Sequence, residues 1–285
     1  MKGKKIPNFL IIGAAKSGTT SLHGLLSQHP QVFMSKKKEI NFFGSDNNFQ
    51  KGWDWYESFF EGSESALAIG EATPAYTSRT ENPKVVKRIA NTLPGIKMIY
   101  IVRHPIRRIE SFWRFRFVKA PDLTINQMVR EDSLKPWHID RSRYWFQVSA
   151  YREYFRDDQI LVLFFEDFKA DPVRTLKQCF EFIGVDPTIE ISSPHKIYNK
   201  TTSSIVEVKS IFHKFRSLPF YNFIRDIFPE NWRKMMMMKT RLKKEIKVPK
   251  PEWDPDTLKW VIDQLAEETR KFLEFYGKPA DFWVL

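Results

Sequence analysis

The chain has 285 residues, enough for one α/β domain with a substantial core, so a second domain is not required. Lys and Arg number 46 against 34 Asp and Glu, and the net charge of +12 implies an acidic partner: nucleotide, nucleic acid, anionic glycan or membrane surface. A single cysteine, Cys179, excludes an internal disulfide, and no apolar run has transmembrane or signal-peptide length, which makes a cytoplasmic location the expectation and leaves peripheral membrane contact open.

Phe9–Ile12 is a short apolar run bounded by Gly13 and reads as a buried strand. Small residues from Gly13 to Gly18 follow, and Thr19 opens a helix carrying Leu22, Leu25 and Leu26 that ends by His29-Pro30. Strand, glycine loop and helix N-terminus in that order form an anion site, because the first-turn N–H groups are unpaired and the helix dipole favours negative charge. Lys16 adds a full charge, while Ser17, Thr19, Thr20 and Ser21 add hydroxyl donors. A Walker A loop would need Lys-Ser/Thr directly after Gly18; Thr19-Thr20 stand there, so the pattern suits a donor whose transfer needs no Mg²⁺.

Val32–Met34 is a second predicted strand, and Lys36-Lys37-Lys38-Glu39 follows its carboxyl end. A carboxylate at position 39 stands beside three lysines and just before the aromatics Phe42 and Phe43. Trp53, Trp55, Tyr56, Phe59 and Phe60 form an aromatic cluster expected mostly in the core. Leu67–Gly70 is a third strand, leading into Glu71-Ala-Thr-Pro-Ala-Tyr76, and Asn82-Pro83 is expected to cap a helix reaching residue 92.

Met98–Val102 is a fourth strand, and Pro105 suits the start of the next helix. Arg103 thus lies at a strand's carboxyl end, where open α/β sheets bind ligands, and Ser111 lies two turns into the helix. A guanidinium with a hydroxyl suits a terminal phosphate. Phe112–Phe117 alternates aromatic and basic residues; Thr124 and Ser142 are expected to begin helices. Ile160–Phe165 is the fifth strand, Asp171-Pro172 and Gly184 bracket a helix that buries Cys179, and Asp256–Tyr276 is an amphipathic helix closed by Gly277. Strands alternating with helices predict an α/β fold of three layers, like that of P-loop NTPases, with a central parallel sheet flanked by helices. Residues 1–285 are taken as one domain, in which 195–250, with four consecutive methionines at 235–238, is read as a lid or substrate-side insertion.

Two motifs about 90 residues apart, Ala15-Lys-Ser-Gly-Thr-Thr-Ser-Leu22 and Val102-Arg-His-Pro-Ile-Arg-Arg-Ile-Glu-Ser111, resemble the phosphosulfate loop and 3′-phosphate site of the sulfotransferases that use 3′-phosphoadenosine 5′-phosphosulfate (PAPS). Lys38-Glu-Ile-Asn-Phe-Phe43, Gly52-Trp-Asp-Trp-Tyr56 and Gly70-Glu-Ala-Thr-Pro-Ala-Tyr76 extend the similarity toward the heparan sulfate branch and its bacterial relatives. The resemblance implies PAPS as donor, adenosine 3′,5′-bisphosphate as product, no metal, and an acceptor hydroxyl favoured to lie on a glycan. It implies that Lys16 with Thr20 and Ser21 stabilises the transferring group, that Gly18 and the N–H groups of residues 17–20 cradle it, and that Arg103 and Ser111 hold the 3′-phosphate. Glu39 takes the position of the branch's catalytic carboxylate, and Lys200 and Ser203 fall where the family closes a loop over the nucleotide. The chain departs from the branch at Ala72, where a lysine is expected after the Glu, and lacks the family's Lys-Gly-Arg signature. Sulfation of a small metabolite or lipid headgroup, a nucleotide kinase and a non-enzymatic polyanion binder are the competing readings; nucleic acid is not the expected partner, and the oligomeric state is left open.

Overall fold

The computed structural model describes residues 6–131, 137–194, 203–208 and 242–285. In chain order, β1 (Phe9–Gly13), α1 (Thr19–Leu26), β2 (Val32–Met34), α2 (Asp46–Phe49), α3 (Gly52–Glu57), β3 (Ala68–Ala72), α4 (Val85–Thr92), β4 (Lys97–Val102) and α5 (Pro105–Phe117) make up the first half. The rest comprises α6 (Ile125–Glu131), α7 (Trp137–Asp140), α8 (Tyr144–Arg152), β5 (Ile160–Phe164), α9 (Phe165–Ala170), α10 (Pro172–Ile183), β6 (Ser203–Val208), β7 (Leu242–Lys247) and α11 (Pro255–Phe275).

The first five strands form one parallel sheet in the order β2-β3-β1-β4-β5. Their side chains alternate between two apolar faces, which is why each strand reads as an unbroken hydrophobic run. Leu10, Ile12, Met98, Tyr100 and Val102 pack with α4, α8, α11 and the aromatics Phe42, Phe43, Tyr56 and Phe60. Phe9, Ile11, Ile99 and Ile101 pack on the other side with Leu22, Leu25 and Leu26 of α1 and Leu176, Cys179, Phe180 and Ile183 of α10. The three α1 leucines are fully buried, each stabilising the fold by roughly 1.5–3 kcal/mol relative to exposure. A three-layer α/β architecture results. β1 is central, with β3 on one side and β4 on the other, so the loops after these strands converge on one edge of the sheet.

Several boundaries differ from the sequence expectation, each for a visible reason. β1 runs on through Gly13, α1 stops at Leu26 and β5 stops at Phe164, because Phe165 already begins α9. β3 extends to Ala72, so Glu71 lies inside the strand rather than after it. α4 begins at Val85 behind Lys84, and Asn82 contributes its backbone carbonyl to the Val85 N–H instead of acting as the cap of Pro83. α8 begins at Tyr144, because the Ser142 hydroxyl accepts from Nε of the fully buried Arg108 at 2.6 Å and is not available to a helix terminus. The last helix begins one residue earlier than expected, Asp254 accepting from the Thr257 N–H at 2.8 Å, while Asp171 caps α10 and Gly184 ends it in the left-handed region. Phe275, which periodicity places on the apolar side of the final helix, is exposed.

The chain divides into two compact units, a main one of 1–113, 123–200 and 251–285 and a second of 114–122 and 201–250. The described part of the second unit comprises residues 114–122 and the antiparallel pair β6–β7, with Ser203 opposite Lys247 and Val208 opposite Leu242. Lys200 and the methionine run fall outside the described residues. Among the described residues no helix is long and apolar enough to cross a membrane, and no group of three or more His, Cys, Asp or Glu side chains is placed to hold a metal ion.

Candidate active site

The loop between β1 and α1 is tied to the sheet edge by the Ala14 N–H, which donates to the Ile101 carbonyl at 2.6 Å, and by the Ser17 N–H, which donates to the Ala14 carbonyl at 3.2 Å. Gly18 precedes α1 with φ +98°, a conformation that L side chains avoid, and a Cβ there would meet the Phe165 ring at 2.8 Å. Gly18, as the residue before the helix, offers no side-chain cap, and the positive end of the α1 dipole faces the loop. Ser17, Thr19 and Ser21 are buried, and Thr20 is the half-buried hydroxyl of the loop.

Lys16 stands at φ +71° beneath this cradle. Burial is the largest influence lowering its pKa; the Lys38 charge lowers it further, Glu39 raises it, and Arg103 lowers it again. Residues from two other loops, those after β2 and β4, therefore lie within electrostatic reach of Lys16. Lys38 Nζ donates to Thr20 Oγ1 at 2.5 Å and pairs with Glu39 Oε1 at 3.4 Å, joining the first turn of α1 to the carboxylate. Glu39 is 62% exposed against 24% for Lys38, so the carboxylate faces solvent and the ammonium is the more enclosed partner. Burial and Lys38 also lower the pKa of His23 on α1.

Arg103 follows β4 directly. Its guanidinium lies 4.8 Å from the centre of the Phe165 ring, the ring that also fills the space beside Gly18. Tyr144 Oη donates to the Arg103 carbonyl at 2.6 Å, and the His104 N–H donates to Glu166 Oε1 at 3.0 Å. Ser111 is half-buried on α5. Ser203 is the first residue of β6.

Glu39 is held from below. Its N–H donates to the Ala72 carbonyl at 2.9 Å, which seats the 39–43 segment on the end of β3. Glu39 and Asn41 both have positive φ, 59° and 53°, costing about 1–3 kcal/mol each. Such strain persists only where surrounding contacts over-determine it.

Three contributors escape a reading of the sequence. Lys38 lies within a run of three lysines, and spacing alone does not distinguish it from its neighbours. Phe165 reads as the end of a strand. Glu71 carries one usable signal, a lone acid inside an apolar β-forming run, which only the fold makes interpretable.

Arranged this way, the site gathers cations at the N-terminus of α1, an arrangement suited to an anionic group, with one accessible carboxylate beside it. Residues 7–246 match the sulfotransferase domain family, and the chain belongs to it. The membrane-associated sulfotransferase kil1 of Dictyostelium discoideum is 41% identical over 113 residues, 39% of this chain and 23% of that protein. Human heparan sulfate glucosamine 3-O-sulfotransferase 5 is 28% identical over 209 residues, 70% of this chain and 58% of that protein. The chain thus spans between about a quarter and three-fifths of the length of these relatives. Among solved structures, a sulfotransferase from Alicyclobacillus acidocaldarius superposes with a TM-score of 0.68 at 22% identity, covering 98% of this chain and 99% of that one. Mouse sulfotransferase SULT7A1 complexed with PAP superposes at 0.50 with 19% identity, covering 95% of this chain and 88% of that one. The fold is the P-loop-like α/β fold of these enzymes.

Proposed function

We propose that this chain transfers the sulfuryl group of PAPS to an acceptor hydroxyl carried on a glycan. The observation that carries the reading is the electrostatic convergence of Lys16, Lys38, Arg103 and Glu39 at the N-terminus of α1. The donor's phosphosulfate lies on the N–H groups of α1 beside Gly18. Because the Ser17 N–H is committed to Ala14, residues 18–20 supply most of this contact. Arg103, backed by Phe165, meets the 3′-phosphate with Ser111, which separates this donor from ATP.

In the transfer, the acceptor oxygen attacks sulfur while the bond from sulfur to the bridging oxygen breaks. Glu39 takes the acceptor proton, and the bridging oxygen keeps the electron pair, leaving as part of the bisphosphate. Lys16 faces the charge that grows there; a single preorganised donor of this kind is worth about 3 kcal/mol. Its lowered pKa fits the role, since it marks a desolvated cation beside other cations, whose charge an arriving anion stabilises. Lys38 supplies, between Thr20 and Glu39, the cation that Ala72 withholds. The heparan sulfate relatives favour a glycan acceptor.

The test is incorporation of radiosulfur from labelled PAPS into a panel of glycans, phenols and lipid headgroups, with Glu39→Gln in parallel. Labelled glycan, and a loss of about 10²–10⁴ in turnover for the variant with nucleotide binding kept, supports the proposal. Labelling confined to phenols or lipids would move the acceptor, and unchanged turnover in the variant would remove Glu39 from the mechanism.

A further inference from the structure

Glu71 is fully buried near the carboxyl end of β3, and three hydroxyl groups donate to it. Tyr56 Oη and Tyr76 Oη reach Oε1 at 2.7 and 2.8 Å, and Thr73 Oγ1 reaches Oε2 at 2.9 Å. Burial raises its pKa, and these hydrogen bonds counter the rise. Two of the donors continue outward. Thr73 Oγ1 accepts the Asn41 N–H at 3.2 Å, and Tyr76 Oη accepts the Phe43 N–H at 3.4 Å. A hydroxyl whose proton is committed to a carboxylate turns its lone pairs away from it, so Glu71 dictates that both oxygens act as acceptors toward the loop. With the Ala72 carbonyl holding the Glu39 N–H, alternate amides at 39, 41 and 43 are all fastened to the segment 72–76. The fastened stretch contains both left-handed residues, Glu39 and Asn41.

We infer that Glu71 is a positioning residue for the transfer: its carboxylate orients the Thr73 and Tyr76 hydroxyls, which clamp the 39–43 loop and fix Glu39 beside Lys38 and the donor cradle. The inference rests on Glu39 being the base. It accounts for a buried acid that touches no reacting group. An amide in its place cannot do the same work, because an amide nitrogen at the Oε2 position would itself donate to Thr73.

The test is amide hydrogen exchange of residues 38–44 in the whole chain, combined with adenosine 3′,5′-bisphosphate affinity and donor turnover, for Thr73→Val, Tyr76→Phe and Glu71→Gln. Thr73→Val is expected to speed exchange at Asn41 about tenfold, Tyr76→Phe to do so at Phe43, and Glu71→Gln at Asn41, the arm its amide nitrogen opposes, each consistent with loss of one ordinary hydrogen bond. Bisphosphate affinity stays within about twofold while kcat falls about tenfold or more, a split that general loosening of the fold would not give. Unchanged exchange at Asn41 and Phe43, or turnover equal to the parent in folded variants, would overturn the proposal. If Glu71→Gln does not fold, the two single-arm variants carry the same test. Failure of the parent to bind the bisphosphate would instead refute the donor-site reading, with the exchange data still reporting on the clamp.

Discussion

Gly18 joins the fold to the site through the Phe165 ring, and Gly18→Ala tests that junction. At φ +98° an L-residue costs about 1–2 kcal/mol. The added Cβ would also stand 2.8 Å from Phe165 Cδ2 and 3.1 Å from Cε2, and forcing that ring aside adds about 1–3 kcal/mol. The sum, about 2–5 kcal/mol, corresponds to a melting point roughly 5–15 °C lower in a domain of this size. The ring is also the surface on which the Arg103 guanidinium rests, so its displacement should weaken adenosine 3′,5′-bisphosphate by about tenfold, or about 1.4 kcal/mol. Thermal melts with and without the bisphosphate read both effects. A variant melting within about 1 °C of the parent and binding equally well would refute the constraint placed on Gly18 and the Phe165 link to Arg103.

Arg103→Ala should weaken nucleotides bearing a 3′-phosphate by about 1.5–3 kcal/mol and leave AMP unaffected, as measured by calorimetry. Lys16→Met should raise the melting point of the ligand-free protein at neutral pH while abolishing turnover, since burial and Lys38 make the Lys16 charge a cost to folding. The sign follows from linkage: with the folded pKa below the ordinary lysine value, the cost is whole below the folded pKa and is relieved as pH rises through it toward 10.5. Parent stability should therefore gain on the variant's across that alkaline interval in pH-dependent denaturant melts. The Cys179 thiol, buried and pushed up to about 12, should resist alkylation near neutral pH until the protein is unfolded; rapid labelling of the native chain would contradict its placement in the core between α10 and the sheet.

The sheet is legible in the sequence because its strands are buried on both faces, almost wholly so in β1, β3 and β4, and so stand out as apolar runs of β-forming residues between turn signals. The junction of β1 and α1 is legible for a different reason: Gly13 and Gly18 bracket a turn of small residues between an apolar run and a leucine-bearing helix. What stays hidden depends on pairs distant in sequence. Ser142 reads as a helix cap until Arg108, 34 residues earlier, is found on its hydroxyl. Glu71 reads as part of a loop until the register sets it within β3, opposite Leu10, with Tyr56 and Tyr76 donating to it. The aromatic cluster divides as burial demands: Tyr56 and Phe60 are core residues, while Trp53, Trp55 and Phe59 pack against its margin. Lys38 emerges from its lysine run only because Thr20 lies within reach of its ammonium.

In the proposed donor site, the loop before α1 and Arg103 together hold a 3′-phosphorylated adenine nucleotide. Titration calorimetry of the whole chain with adenosine 3′,5′-bisphosphate, AMP and ATP, each with and without Mg²⁺, tests it most directly. Tight, metal-independent binding of the bisphosphate and weak binding of AMP and ATP are expected. Binding of ATP that requires Mg²⁺, with none of the bisphosphate, would contradict it.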